Sequence, residues 1–128
     1  MKLLIAALLA VFSMSVMAEW TRVSGDNDST AYADLATIRK AGNKVKMWSL
    51  MDFKVALTSY GGTPFLSAKS QGEYDCKEET WRRLTFIFNS KNMGAGAVVF
   101  SSGAYHEEPD AIPPGSGIET LFKVACGK

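Results

Sequence analysis

The sequence is poor in the residues from which most catalytic and metal sites are built. Its 128 residues include one histidine, His106, and two cysteines. A single histidine without a Cys-x-x-Cys pair falls short of a zinc ligand set. No serine lies in a nucleophile-elbow pattern, and no glycine-rich segment has the Lys-Ser/Thr of a phosphate loop. The protein is therefore expected to be non-enzymatic, with no metal and no cofactor.

The chain also lacks an excess of charge of either sign. Lys and Arg number 14 and Asp and Glu number 13, so the formal net charge is +1. A nearly neutral chain has no general electrostatic attraction to nucleic acid or to anionic lipid. With 47% apolar residues, the composition is that of one globular domain and excludes a long disordered chain.

Apolar runs of membrane-spanning length are absent, and the longest run lies at the N-terminus. Met1 and Lys2 precede the unbroken apolar run Leu3–Phe12, which is followed by a short segment ending in Ala18. This pattern is typical of a secretory signal peptide, residues 1–18, cleaved to leave a domain of residues 19–128. The alternative is a membrane anchor, which needs about 18–20 apolar residues. No cysteine lies near the cut, so no lipid anchor is expected.

The two cysteines, Cys76 and Cys126, both lie in the exported part of the chain. In an oxidising compartment, an even pair in a small domain is most simply one disulfide. The alternative is a redox or metal pair, which lacks further ligands here. We therefore predict a structural Cys76–Cys126 bridge.

Short strands separated by turn signals make up most of the exported part. The predicted strands are Trp20–Val23, Ser29–Ala33, Lys44–Phe53, Phe65–Cys76, Thr80–Asn89 and Gly96–Ser101. Asp34–Lys40 is predicted to form one short turn of helix. In Thr80–Asn89 the alternation places Trp81 and Arg83 on the face opposite Leu84, Phe86 and Phe88.

One longer helix is predicted at the C-terminus. Ser116, with Glu119 three residues later, forms a capping box, and Gly127 stands where a glycine C-cap is expected. The residues that recur at helical spacing are Ile118, Leu121, Phe122 and Ala125. A helix of about ten residues is not stable alone. Its apolar stripe, which Cys126 shares, must therefore pack on the strands near Cys76.

Large side chains on the second face of the strands form a candidate interaction surface. Trp48, Leu50 and Trp81 lie opposite the main apolar stripes of their strands, and Arg83 adds a charge beside Trp81. One helix covers only one face, so these groups predict a protein partner or a symmetric homodimer. Two alternatives remain: residues 60–64 or 103–115 fold over this face, or the basic side chains only prevent edge pairing.

The single histidine lies in an acidic, proline-containing loop. His106 is followed by Glu107, Glu108 and Asp110. The functional interpretation is a metal or acid–base site. Neighbours in a loop usually point apart, so we interpret the segment as a solvated loop.

The exported part resembles the surface-adhesin protein E family of Gram-negative bacteria. The matching segments are Trp20–Val23, Tyr32–Asp34, Thr37–Asn43, Val45–Phe53, Ser67–Lys69, Glu73–Cys76, Arg83, Met93–Gly96 and Pro114–Ser116, with Leu121 and Cys126. The Glu73–Cys76 segment with its distant cysteine and the Pro114–Ser116 start of the helix are the most specific. The resemblance implies an α+β fold: one antiparallel sheet of about six strands, with the C-terminal helix tied to it by the disulfide.

The resemblance also implies a function. The expected activity is that of an exported protein-binding module for host or matrix proteins, located in the periplasm, secreted, or held at the cell surface without a lipid anchor. The alternative is a periplasmic inhibitor or accessory protein acting on another exported protein.

Overall fold

The computed structural model describes residues 19–103 and 108–128, and within them it contains seven strands and one α-helix. The strands are β1 (Thr21–Gly25), β2 (Ser29–Ala41), β3 (Lys44–Thr58), β4 (Pro64–Asp75), β5 (Thr80–Asn89), β6 (Val98–Ser102) and β7 (Asp110–Ala111), and the helix α1 is Gly117–Cys126. Strands β1 to β6 pair antiparallel in chain order, and β7 pairs with β5. The predicted fold class is confirmed. The predicted signal peptide and His106 lie outside the described residues.

The helix begins and ends as its capping residues predict. The Ser116 hydroxyl accepts a hydrogen bond from the Glu119 N–H at 3.2 Å. The Glu119 carboxylate accepts in turn from the Gly115 N–H at 3.4 Å. Gly127 closes the helix in the left-handed region, with a φ of 69°, which glycine adopts without steric cost. The helix therefore has fixed ends before it packs on anything.

The core lies between α1 and one face of the sheet. Leu121, Phe122 and Ala125 pack against Ala33, Val45, Met47 and Tyr74. We call this side of the sheet, which also carries Ser49 and Met51, the helix-side face. The predicted disulfide is present, and the Cα atoms of Cys76 and Cys126 lie 5.7 Å apart. It joins the last helical residue to the residue that follows β4, as the sequence predicted.

The prediction of a helical turn at Asp34–Lys40 is wrong, because β2 continues through this segment to Ala41. The pairing with β3 shifts register between Asp34 and Arg39. At this irregularity the Thr37 hydroxyl donates to the Asp34 carbonyl at 2.6 Å and accepts from the Trp48 N–H at 2.9 Å. A side chain here completes the hydrogen bonds that an irregular strand leaves open, so pairing with β3 overrides the local turn signal.

The predicted facing of β5 is also wrong, because the strand contains a bulge. Thr85 pairs with Gln71, but Arg83 pairs with Gly72, so Leu84 is an extra residue. One extra residue reverses the alternation. Arg83 and Trp81 therefore lie on the helix-side face, together with Phe86 and Phe88.

The opposite face, which we call the outer face and which carries Trp48, Leu50 and Asp52, is partly covered by a 3-10 turn, Asn92–Gly94. The Asp52 carboxylate accepts from the Met93 N–H at 2.8 Å and from the Asn92 side chain at 3.0 Å. The Ser67 hydroxyl accepts from the Gly94 N–H at 2.9 Å. These bonds hold the turn over Leu50, whose side chain is 0% exposed.

Candidate functional site

The structure does not bring the four residues of the predicted interaction surface together. Trp48 is half-buried on the outer face. Leu50 is on the same face but fully buried, so it offers no surface to a partner. Trp81 and Arg83 lie on the helix-side face, where Trp81 packs against the core under the helix. The predicted surface is therefore wrong in two respects. Leu50 is not exposed, and Trp81 and Arg83 do not lie on the same face as Trp48. The causes are the turn over Leu50 and the bulge at Leu84.

Arg83 belongs instead to a cavity of about 490 Å³ on the helix-side face. The cavity lies between residues 115–121, at the start of α1, and strands β1 to β5. Its volume falls in the range of about 300–1,000 Å³ that small-molecule sites occupy. The helix therefore covers the sheet incompletely, and the space left at its N-terminus is large enough for a ligand.

The floor of this cavity is polar, although it continues the apolar stripe of the core. Ser49 of β3 pairs with Ser70 of β4, and next along β4 come Gly72 and Tyr74. Tyr74 is 1% exposed and Ser49 is 7% exposed. No other described residue hydrogen-bonds to either hydroxyl. A Cβ at position 72 would lie 2.9 Å from the Tyr74 hydroxyl, so glycine leaves room for the phenol above the strand.

Arg83 is a cation without a counter-ion among the described residues. Its guanidinium carbon lies 5.8 Å from the Trp81 ring centre and 5.5 Å from that of Phe86, a cation–π distance. Its Nε is buried without a hydrogen-bond partner. The neighbouring Arg82, on the outer face, instead forms an ion pair with Glu73 at 2.9 Å. The two rings hold the Arg83 side chain, but no acceptor in the described part of the chain satisfies its Nε.

Two further titratable groups line the cavity. Hydrogen bonds from the N–H groups of Asp28 and Ser29 lower the pKa of Asp26, which lies at the cavity rim as a carboxylate. Burial raises the pKa of Tyr74, which the nearby Arg83 charge only partly offsets. Tyr74 therefore stays a neutral phenol and a hydrogen-bond donor.

A second feature of the helix-side face is an aromatic cluster at the end of the sheet away from the disulfide. The Phe65 and Phe88 rings stack with centroids 4.2 Å apart, and Phe100 contacts Phe88 at 5.7 Å and Tyr60 at 5.5 Å. Phe53 and Phe86 complete the cluster. The residues packed under the helix do not include it. We call this cluster, with the exposed side chains of Val55, Leu57 and Val98 at the same end of the strands, the aromatic end.

Sequence reasoning missed both features, although each left a signal. Ser49 interrupts the apolar alternation of β3, and a small polar residue within a core-facing stripe indicates a polar pocket. The phenylalanines Phe53, Phe65 and Phe88 stand near the ends of strands that meet at one edge of an antiparallel meander. That juxtaposition is visible only once the strand order is known.

Fold and site together define a class of protein: a small antiparallel meander with a disulfide-tied helix, a cavity under the helix start and a cluster of aromatic rings at the opposite end of the sheet. The family model described as surface-adhesin protein E matches residues 20–127. The chain belongs to this family. Among curated proteins, none matches the sequence significantly.

Solved structures of Haemophilus influenzae protein E have the same fold. Crystal form II is 13% identical, with a TM-score of 0.64 over 88% of this chain and 90% of that chain. A second structure is 12% identical, with a TM-score of 0.62 over 88% and 86% of the two chains. A third, from non-typeable Haemophilus influenzae, is 13% identical, with a TM-score of 0.60 over 89% and 79%. At this identity the likeness concerns the fold.

Two further features are absent from the described parts of the chain. Residues 19–103 and 108–128 contain no group of three or more His, Cys, Asp or Glu side chains placed to hold a metal ion. Within the same ranges, no helix has the length and hydropathy needed to cross a membrane.

Proposed function

We propose that this protein is a non-enzymatic, exported module that binds a protein partner at its aromatic end, with host or extracellular-matrix proteins as the partner class. The observation that carries the proposal is the exposure there: Val55 is 77% and Tyr60 86% exposed at this end of the strands, and the Tyr60 ring contacts Phe100. A contiguous exposed apolar patch is typical of an interaction site, and tyrosine is enriched among binding hot spots. Membership of a surface-adhesin family supports the same partner class.

Export is part of this proposal. Residues 1–18 have the pattern of a signal peptide, which would leave the domain of residues 19–128. A disulfide between Cys76 and Cys126 supports an oxidising compartment, because such bonds are rare in the reducing cytosol. Location in the periplasm, in the medium or at the cell surface without a lipid anchor is proposed on this basis.

The second candidate function is inhibition or assistance of another exported protein in the periplasm. It is favoured by the hairpin between β3 and β4, whose turn is closed by a hydrogen bond from the Ser59 N–H to the Thr63 carbonyl at 2.9 Å. Tyr60 projects from this turn. A rigid loop with an exposed ring suits insertion into a cleft of a partner protein.

The proposal predicts that wild-type protein binds saturably to at least one member of a panel of purified matrix proteins. The double variant Val55→Ser/Tyr60→Ser is expected to weaken that binding at least about tenfold, because it removes exposed apolar contact area. Both side chains are exposed, so the fold should be unchanged. Leu35→Ser, at a residue 47% exposed on β2, is the matched control and should bind as wild type does.

The same experiment separates the two functions when it is combined with protease treatment of intact cells. An adhesin is cleaved by external protease and binds the matrix panel. If the protein is protected in intact cells and no matrix protein binds, the matrix-binding proposal fails and the periplasmic function takes its place.

We also propose that the outer face supports a symmetric homodimer through Trp48. The residue is half-buried, and it pairs with Asp34 of β2 and Gln71 of β4. Trp48→Lys is expected to convert a dimer at tens of micromolar into a monomer in sedimentation, because a charge replaces an apolar contact. Leu35→Lys is the control. A wild-type monomer, or a dimer that tolerates Trp48→Lys, contradicts this proposal.

A further inference from the structure

The cavity at the start of α1 contains hydrogen-bond donors that the described protein leaves unused. Tyr74 is almost completely buried, lines the cavity and has no partner for its hydroxyl. Arg83 lines the same cavity and has neither an ion pair nor a hydrogen-bond acceptor within residues 19–103 and 108–128. An unsatisfied buried polar group costs about 1–3 kcal/mol. Arg83 Nε is such a group, and together with the unused Tyr74 hydroxyl it indicates that an acceptor binds in this cavity.

The charge of the lining limits what that acceptor can be. Among the described residues, the cavity is lined by one cation, Arg83, and one anion, Asp26. Asp26 lies at the rim of the cavity. Its carboxylate accepts hydrogen bonds from two N–H groups of its own turn, at 2.8 and 2.9 Å. A ligand with one negative charge is matched by Arg83 alone, whereas a dianion would meet the Asp26 charge as well.

Beside the serines of its floor, the cavity has an apolar part. Met51, Trp81 and Leu121 border the cavity, together with Ala31 and Ile118. An ion with a full hydration shell, such as a free inorganic anion, would leave this surface without a partner. A ligand that carries an apolar body next to its charge would fill the cavity and bury that surface.

The start of the helix adds two more donors. The Ser116 hydroxyl caps the Glu119 N–H, and the N–H groups of Gly117 and Ile118 have no acceptor among the described residues. Both residues line the cavity. Free N–H groups in the first turn, with the positive end of the helix dipole, favour a negative charge nearby.

We propose that this cavity binds an amphipathic monocarboxylate, whose carboxylate accepts hydrogen bonds from Arg83 and Tyr74 and whose apolar body lies against Met51, Trp81 and Leu121. The carboxylate comes either from a free acid or from the C-terminus of a peptide with an apolar last residue. Both sources present the same charge and the same adjacent apolar group. The site is independent of partner binding at the aromatic end.

The decisive experiment compares acids with their uncharged amides in calorimetric titration of the purified chain with its disulfide intact. The probes are decanoate against decanamide, and acetyl-leucyl-phenylalanine against its C-terminal amide. In each pair the apolar body is the same and only the charge differs. We expect the acid to bind with at least about tenfold higher affinity than its amide, because hydrogen bonds to a charged group are stronger than those to a neutral one. The pair that binds identifies the source of the carboxylate.

Two variants locate the site. Arg83→Met keeps an unbranched apolar side chain between the two rings. It should lower the affinity for the acid at least about tenfold, to that of the amide. Tyr74→Phe removes only the hydroxyl and should lower the affinity for the acid about fivefold. Lys46→Met removes the same charge from the exposed outer face and should leave the affinity within about twofold.

Three results would overturn the proposal. One is equal binding of acid and amide to the wild-type protein, which needs no variant to fold. The second is an Arg83→Met protein that binds the acid as Lys46→Met does. The third is the absence of binding for every probe. The Val55→Ser/Tyr60→Ser protein should bind the acid normally, so a failure at the aromatic end remains distinguishable from a failure at the cavity.

Discussion

Replacing both Cys76 and Cys126 by alanine is expected to lower the free energy of unfolding by about 4 kcal/mol, because the bridge closes a loop with a sequence separation of 50. The loss is large relative to the ~5–15 kcal/mol of a typical domain. We expect α1 to unfold first in this variant, because its ten residues need contact with the sheet in order to stay helical. Urea unfolding followed by far-ultraviolet circular dichroism measures the change.

The matched comparison for the disulfide is the wild-type protein unfolded in a reducing agent, which should have the same midpoint as the double variant. Lys77→Ala, next to Cys76 and exposed, should change the stability by no more than about 0.5 kcal/mol. A double variant as stable as the oxidised wild type would show that packing alone holds the helix.

Phe122→Ala is expected to destabilise the protein by about 3–5 kcal/mol. Phe122 is 5% exposed and lies in the core with Leu121 and Met47. Truncation removes buried apolar surface and leaves a cavity that the disulfide-tied helix cannot move to fill. Chemical denaturation of the oxidised variant measures the loss.

Lys123→Ala, one residue further along the helix, is the control for Phe122→Ala. Its side chain is exposed and pairs with Glu119 at 3.5 Å, one helical turn away. An exposed pair of this spacing contributes about 0.2–0.5 kcal/mol. If Phe122→Ala cost no more than this control, the core would not lie where the structure places it.

Both predictions rest on features that were readable from the sequence. The capping box at Ser116, the glycine at 127 and the apolar spacing between them are local signals, and they placed α1 correctly. The bounds of β5 were also predicted, because strong alternation between two turn signals needs no tertiary information. The Cys76–Cys126 bridge followed from count and compartment, since two cysteines have one intramolecular pairing.

Local signals failed where a residue's position depends on a partner strand. The local prediction for Asp34–Lys40 is a short turn of helix, yet pairing with β3 draws the segment into β2. Leu84 gives no sign in the sequence that it is an extra residue, but it turns Trp81 and Arg83 to the helix-side face. The alternation of β3 predicts the face of Leu50 correctly. Its burial depends on the turn Asn92–Gly94, which hydrogen bonds to Asp52 and Ser67 hold over it.

The sequence by itself determined the class of the protein, the family, the helix and its covalent tie, because each depends on residue types at fixed spacing along the chain. Only the tertiary structure decided which surfaces are available. One bulge brings Arg83 beside Tyr74 under the helix, and the order of the strands gathers the phenylalanines at the end that the ten-residue helix does not cover. The physical reason is that strand register and covering segments arise from contacts between residues distant in sequence, which no local pattern encodes.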